Sequence, residues 1–383
     1  MPKKYVPSWY DDEVGALSAL ARGFFEREVV ARIEKWDTQR HIDRSVWLEA
    51  GNLGLLLCSI PEEYGGGGGT FAHDLAVFEA QGYSGDLAFG ISVHSGIVPH
   101  YILEYGTQEQ KQTWLPPMAT GEVLSAIGMT EPGAGSDLKA IRTTAIREGD
   151  EYIVNGSKTF ITNGGSADMI LLAVKTDPKA GAKGLSLLIV DLQATPGFHV
   201  GRVLDKVGQH GADTAELSFT DVRVPISNLL GDHEGRGFGQ LITQLSQERL
   251  IIGAQAVGGM ERAVEETVAY TKSRQAFGHS LFEFQNTAFE LAECATITKT
   301  CRVFLDHCIE EHLHGNLDST DAAMVKYWLT DQQCAVIDRC VQLHGGYGYM
   351  REYLIARMYE DARVQRIYAG ANEVMKGIIA KSL

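Results

Sequence analysis

Between residues 11 and 120, apolar side chains recur every three or four positions: Val14, Leu17, Leu20, Ala21 and Phe24, then Val46, Leu48 and Leu53. That spacing lays one apolar face along a helix. Pro61 and the glycine run Gly65 to Gly69 break the pattern, so this third of the chain predicts several helices. The glycine run lacks the Lys-Ser/Thr of a phosphate-binding loop and reads as a flexible connector. From about 123 to 233 the texture changes to short β-branched runs: Tyr152-Ile153-Val154, Thr159 to Thr162, Met169 to Val174, Leu185 to Val190 and Ala215 to Phe219. These predict strands, with Asn155-Gly156 and Asn163-Gly164 as turns. No helix-length periodic segment separates them, which predicts an antiparallel barrel or sandwich and excludes a βαβ array. Beyond about 236 the helical period returns over 238–273, 284–313, 320–344 and 353–381. The expectation is an α+β protein: an N-terminal helical domain over 1–122, a central antiparallel β domain over 123–235 and a C-terminal four-helix bundle over 236–383. Helices this long, apolar on more than one face, also pack against another subunit.

Composition narrows the function. With 383 residues, 44% hydrophobic and 22% charged, the chain has ordinary globular composition and room for two or three domains. Lys and Arg total 34 against 49 Asp and Glu, a net charge of −15 that opposes binding to nucleic acid or an anionic membrane. Apolar runs such as 55–58 and 250–253 fall far short of a bilayer span. The start, Met1 to Tyr5, runs into Asp11-Asp12-Glu13 with no signal or transit pattern. A cytoplasmic, bacterial chain is expected, or one of the mitochondrial matrix if processed. The six cysteines include no Cys-x-x-Cys. Cys294, Cys301 and Cys308 share a helix face, where His307 would allow a metal site, but buried small hydrophobes are the favoured reading and no metal is expected.

Three stretches carry candidate chemistry, and none is a dinucleotide fingerprint, because Gly133-Ala134-Gly135 is followed by Leu138 where a third glycine belongs. Met129 to Asp137 combines small residues with the hydroxyls of Thr130 and Ser136, a surface that suits a flavin edge or a phosphate; a tight turn would use the same residues. Arg274-Gln275-Ala276-Phe277-Gly278, with Gln285 downstream, offers a guanidinium fork for a pyrophosphate and a flat ring for an aromatic group; a solvated charge is the plain alternative. Gln342 to Tyr349 ends a helix in a glycine-rich turn that permits close backbone approach or simply caps the helix.

Together these stretches, with Asn155 to Gly164, Asp213 to Leu217, Gln247-Glu248-Arg249-Leu250 and Ile367 to Glu373, resemble the acyl-CoA dehydrogenase family, its long-chain members most closely, over nearly the whole chain. The resemblance implies the same α, β, α organisation and FAD as cofactor. It places Ile127, Met129, Thr130, Ser136, Phe160, Ile161 and Thr162 around the flavin ring. It places Arg274, Phe277, Gln285, Gln342, Leu343, His344, Gly345 and Gly346 on the adenine and pyrophosphate of FAD bound mainly by a neighbouring subunit, and Ala371 and Glu373 near the flavin. A homo-oligomer, a tetramer built as a dimer of dimers, would complete each site.

Flavin-dependent α,β-dehydrogenation needs a carboxylate to take the α-proton of the thioester. Many family members carry it in a Tyr-Glu-Gly-Thr motif, and the matching residue here is Ala369, which has no base. Long-chain and isovaleryl members carry it instead at the position of Glu248, the expected catalytic residue. By the same resemblance Ser136, Gly239, Ser246, Gln247, Arg249, Ala369 and Gly370 line the substrate path, and the Ala369 N–H polarises the thioester carbonyl. Gly239 stands where long-chain members have a bulky aromatic, and Ala371 where Thr is usual. The implied reaction converts a medium- to long-chain acyl-CoA to its trans-2-enoyl product, with electrons passed to an electron-transfer flavoprotein. The competing readings are an acyl-CoA oxidase or nitroalkane oxidase that uses oxygen, and a catalytically silent acyl-CoA-binding flavoprotein.

Overall fold

The computed structural model describes residues 6–193 and 195–383. The Met1 to Tyr5 start lies outside them. The N-terminal region holds α1 (Asp12–Phe24), α2 (Ile33–Gln39), α3 (Arg44–Asn52), α4 (Phe71–Ser84), α5 (Val98–Tyr105) and α6 (Gln108–Ala119). The Asp11 carboxylate caps α1 by accepting from Val14 N at 2.9 Å; of the predicted stripe the helix buries Val14, Ala21 and Phe24, together with Ser18, while Leu17 is half-buried and Leu20 exposed. Buried on nearly every side, α4 packs against α1 and the first C-terminal helix. The glycine run is not a loose connector. The N–H groups of Gly66, Gly67, Gly68 and Gly69 donate to carbonyls of Pro61, Leu57, Ile60 and Cys58, which ties the run onto the preceding segment.

The central region holds β1 (Ser125–Gly128), β2 (Thr144–Glu148), β3 (Glu151–Ile161), β4 (Met169–Lys175), β5 (Leu185–Asp191), β6 (Phe198–Val203) and β7 (Ala215–Pro225), in one seven-stranded sheet. The sheet is mixed, which corrects the antiparallel expectation: β1 pairs with β4 in parallel, Ser125 opposite Met169, and β2 touches β4 in parallel at Thr144. The crossover from β1 to β4 is made by the β2–β3 hairpin, not by a helix, so no helical periodicity announces it. Asn155-Gly156 is not a turn either. Both residues lie inside β3, at a bulge where the pairing with β7 shifts register. Gly156 is required there, since its φ is 153° and a Cβ would lie 2.4 Å from Thr143 Oγ1, while the Asn155 side chain bonds across to Asp221. Asn163-Gly164 does turn the chain after β3. Strand β4 is buried on both faces: Met169, Leu171 and Ala173 join the helical core, and Ile170, Leu172 and Val174 the core inside the sheet.

The C-terminal region contains three long helices, α7 (Gly237–Ser273), α8 (Gln285–Leu313) and α9 (Ser319–His344), with the short pair β8 (Gln275–Ala276) and β9 (His279–Ser280) between the first two. The expected fourth helix over 353–381 is interrupted. It forms α10 (Leu354–Ala362) and α11 (Asn372–Ser382), separated by a 3₁₀ turn and a bend in which Ala369 and Gly370 have φ of 51° and 91°. Cys294, Cys301 and Cys308 are buried and reduced, and His307 on the same helix is exposed. No helix among the described residues is long and apolar enough to cross a membrane.

Candidate active site

Two sets of predicted cofactor residues are each drawn together by the fold. In the first, β1 carries Ile127 to the edge of the sheet and the chain continues through Met129 and Thr130 into a loop with Ser136 exposed at its far side. The end of β3 lies alongside, with Thr159 N donating to Thr130 O at 2.9 Å. A buried ion pair fixes this junction: Lys158 Nζ donates to Glu131 Oε1 at 2.9 Å and to Met129 O at 3.1 Å, and Glu131 also accepts from the N–H groups of Arg142 and Thr143. Burial drives the Lys158 ammonium down to about 8, against the pull of Glu131. Burial would raise Glu131, but the Lys158 charge and its hydrogen bonds outweigh this and hold it below the usual range. At the end of β3, Phe160 is 66% exposed with φ of 60°, a strained placement for a large apolar side chain; Ile161 is buried and Thr162 half-buried.

The second set sits where α7, α8 and α9 end or begin. Arg274 follows α7 and holds its guanidinium 5.5 Å from the centre of the Tyr347 ring; Gln285 opens α8. Phe277 is 93% exposed. Tyr270 Oη donates to His344 O at 3.2 Å and its ring stacks on His344 at 4.2 Å. The His344 imidazole turns inward, with Nδ1 donating to Cys340 O at 2.8 Å. Gln342, Gly345 and Gly346 are exposed and Leu343 is half-buried.

The candidate base lies apart from both sets, on α7. Glu248 is buried, and its Oε1 accepts a hydrogen bond from Tyr101 Oη at 2.8 Å. Burial pushes its carboxyl up to about 7, moderated by the Tyr101 hydrogen bond and the Arg249 charge. Arg249 is buried as well and makes one long bond, 3.5 Å to Ser319 O, while its Nε has no partner. Ser246 and Gln247 are half-buried, and Gly239, near the start of the helix, is exposed with no atom within 4 Å of where a Cβ would stand. The turn Ala369-Gly370-Ala371 is clamped by α9: Lys326 Nζ donates to Gly370 O and to Asn372 Oδ1, and Asn372 Nδ2 donates to Tyr327 O, Thr330 Oγ1 and Asp331 Oδ1. Ala371 caps α11, and Glu373 is exposed in its first turn. Sequence reasoning missed Tyr101, Lys158, Glu131 and Lys326; each works through a contact between distant segments, which local patterning does not reveal. A cavity of about 260 Å³ between α2 and the β6–β7 connection shares none of these residues, and the ions around it pair with one another, as Arg40 does with Asp205.

These features coincide with what the chain is related to. The family models described as the acyl-CoA dehydrogenase N-terminal, middle and C-terminal domains match residues 11–122, 126–222 and 235–383. The protein belongs to the acyl-CoA dehydrogenase family and is an FAD-dependent oxidoreductase of that type. It is 45% identical over 364 residues to the mitochondrial long-chain specific acyl-CoA dehydrogenase of Mus musculus, covering 94% of this chain and 84% of the relative. The crystal structure of an acyl-CoA dehydrogenase from Geobacillus kaustophilus superposes with a TM-score of 0.95 at 47% identity, covering 98% and 99% of the two chains. A glutaryl-CoA dehydrogenase from Mycobacterium smegmatis in complex with FADH2 superposes at 0.91 with 28% identity, covering 98% and 95%. The residues present fit a flavin nucleotide. Side chains built at Gly133, Gly345 and Gly346 would meet nothing within 4 Å, and Phe160 and Phe277 offer uncovered aromatic faces.

Proposed function

We propose that this protein dehydrogenates the α,β bond of a medium- to long-chain acyl-CoA, with Glu248 as the base that takes the α-proton. The observation that carries the reading is a pairing of opposites: position 369 is an alanine, whereas Glu248 is a buried carboxylate raised to about 7. A carboxylate near neutrality is a far better proton acceptor than one in the ordinary range, and still largely ionised at pH 8. FAD, when bound, supplies the acceptor for the hydride that leaves the β-carbon. The chain's own part is to orient and deprotonate. The backbone N–H of Ala369 is the donor assigned to the thioester oxygen, and it survives the loss of a glutamate side chain because it belongs to the main chain. Lys326 and Asn372 hold that turn in its left-handed conformation. Ile127, Met129, Thr130, Ser136, Phe160, Ile161 and Thr162 hold the flavin ring, and Arg274, Phe277, Gln285 and 342–346 hold the nucleotide end of a neighbour's cofactor. Exposed Phe277 and Tyr349 support a further subunit covering this end, in a tetramer. A long acyl group and an electron-transfer flavoprotein as acceptor are both assigned by family likeness.

The experiment is anaerobic addition of acyl-CoA to wild type and Glu248→Gln while the flavin absorbance is followed. Wild type should bleach, stay bleached until an electron-transfer flavoprotein is added, and reoxidise only slowly in air. Glu248→Gln should bind FAD and acyl-CoA without bleaching. Bleaching of the variant at the wild-type rate would remove Glu248 from the mechanism, and rapid reoxidation of wild type in air would make the protein an oxidase.

A further inference from the structure

The base is not held by its own helix alone. A π-helical turn, Ser92–Ile97, feeds directly into α5, and within it Gly96 lies so close to α7 that a Cβ would be 2.6 Å from Ile251 Cδ1. Gln247 Nε2 reaches back to Gly96 O at 3.5 Å. This contact brings α5 against α7, and just beyond it the Tyr101 side chain, fully buried, meets Glu248. The two residues are 147 positions apart in sequence and in different structural regions.

We propose that Tyr101 is the positioning residue of the Glu248 carboxylate, its phenol holding Oε1 so that Oε2 is the oxygen that takes the substrate proton. The inference rests on Glu248 being the base. A phenolic O–H donating to a carboxylate is charge-assisted, so it favours the ionised form over the neutral acid. It opposes the burial that raises Glu248. The other charged or titratable groups around the pair are Tyr105 on α5, whose ring is 6.3 Å from that of Tyr101, Arg249 on α7 and, behind Arg249, Lys326 on α9. Tyr101 itself is held well above the ordinary phenol range by burial and by the Glu248 charge, so it keeps its proton and remains a donor wherever the enzyme works. A tyrosine that merely filled the core would leave the titration of the base untouched.

The test is the pH dependence of anaerobic flavin reduction at saturating acyl-CoA in FAD-loaded wild type and Tyr101→Phe. Losing the donor should move the acid limb of the rate upward by about one pH unit, the size expected of one hydrogen bond to a charged group. KM should change little. A second variant, with fluorotyrosine incorporated at position 101, keeps size and fold while making the phenol a stronger donor, and should move the limb downward. An acid limb unchanged in the fluorotyrosine protein overturns the proposal, whether or not Tyr101→Phe retains FAD. Failure of the underlying reading is separable, because it appears as normal flavin reduction in Glu248→Gln, whereas failure of the Tyr101 assignment alone leaves Glu248→Gln inactive.

Discussion

Lys326 Nζ donates to the carbonyl oxygen of Gly370 at 2.7 Å, so a buried cation pins the turn that directly follows Ala369. The same ammonium donates to Asn372 Oδ1 at 2.9 Å. Lys326→Met keeps the volume of the side chain and leaves both oxygens without this donor. It should destabilise the protein by about 1–3 kcal/mol for each oxygen that finds no other partner. Denaturant titration measures that loss. Flavin reduction should slow by up to about 100-fold in the fraction that remains folded, since a misplaced donor forfeits orientation. A variant with wild-type stability and rate would show that the turn holds itself.

Glu248 also couples stability to pH. Its carboxyl sits at about 7 in the folded protein against 4.5 when unperturbed, with burial as the leading cause. Between those values the folded chain holds a proton that the unfolded chain has released. The contribution of this group is therefore fully present below about 4.5 and is lost as pH rises through about 7, on the order of 3 kcal/mol in all. Glutamine does not titrate, so Glu248→Gln should gain stability relative to wild type between pH 5 and pH 8. Melting temperatures of the two proteins across that range check the sign.

A glutamate can be offered at the other position. Glu248→Ala should lower flavin reduction by about 100- to 10,000-fold, the usual worth of a general base. Adding Ala369→Glu should restore part of the rate. Residue 369 already has φ of 51°, so the new side chain adds little backbone strain. No recovery in a folded, FAD-loaded double variant would count against the shared geometry of the two positions.

Arg274→Ala should weaken FAD retention, and more steeply as salt is raised, because a guanidinium on a pyrophosphate is charge-assisted yet partly screened. Arg274 is exposed in the single chain and leans over Tyr347, so its removal leaves the fold intact. Full flavin content after extensive dialysis would show that the arginine does not touch the cofactor.

Gly239 is exposed on α7 with free space where a side chain would go, so Gly239→Tyr should not destabilise the helix. If the position faces the acyl chain, kcat/KM should fall for long and branched acyl-CoA while butyryl-CoA is spared. Each buried CH2 lost is worth about 0.8 kcal/mol, roughly a fourfold drop. A profile from C4 to C16 that does not change would place Gly239 outside the acyl path.

What the residues determine by themselves is whatever depends on near neighbours. Most of the apolar stripe of α1, the length of α7, the strands β4 and β5 and the candidate Glu248 were legible, because helix and strand periods are local and a family motif is a short string; Leu20, exposed in the fold, was not. The C-terminal segment misled for the same reason: the helical period runs on through α10 and α11, while the break at Ala369-Gly370 is imposed by Lys326 and Asn372 bonding across to and from α9. Asn155-Gly156 has the composition of a turn, yet pairing with β7 on one side and the approach of Thr143 on the other make it a bulge within a strand. The parallel pairing of β1 with β4 and the hydrogen bond from Tyr101 to Glu248 join segments far apart in the chain. Such contacts exist only once hydrophobic burial has closed the intervening loops, and burial also moves Glu248 from an ordinary carboxylate to one near neutrality. The carboxyl of Glu248 is written in one residue, and where it titrates is decided by what packs around it.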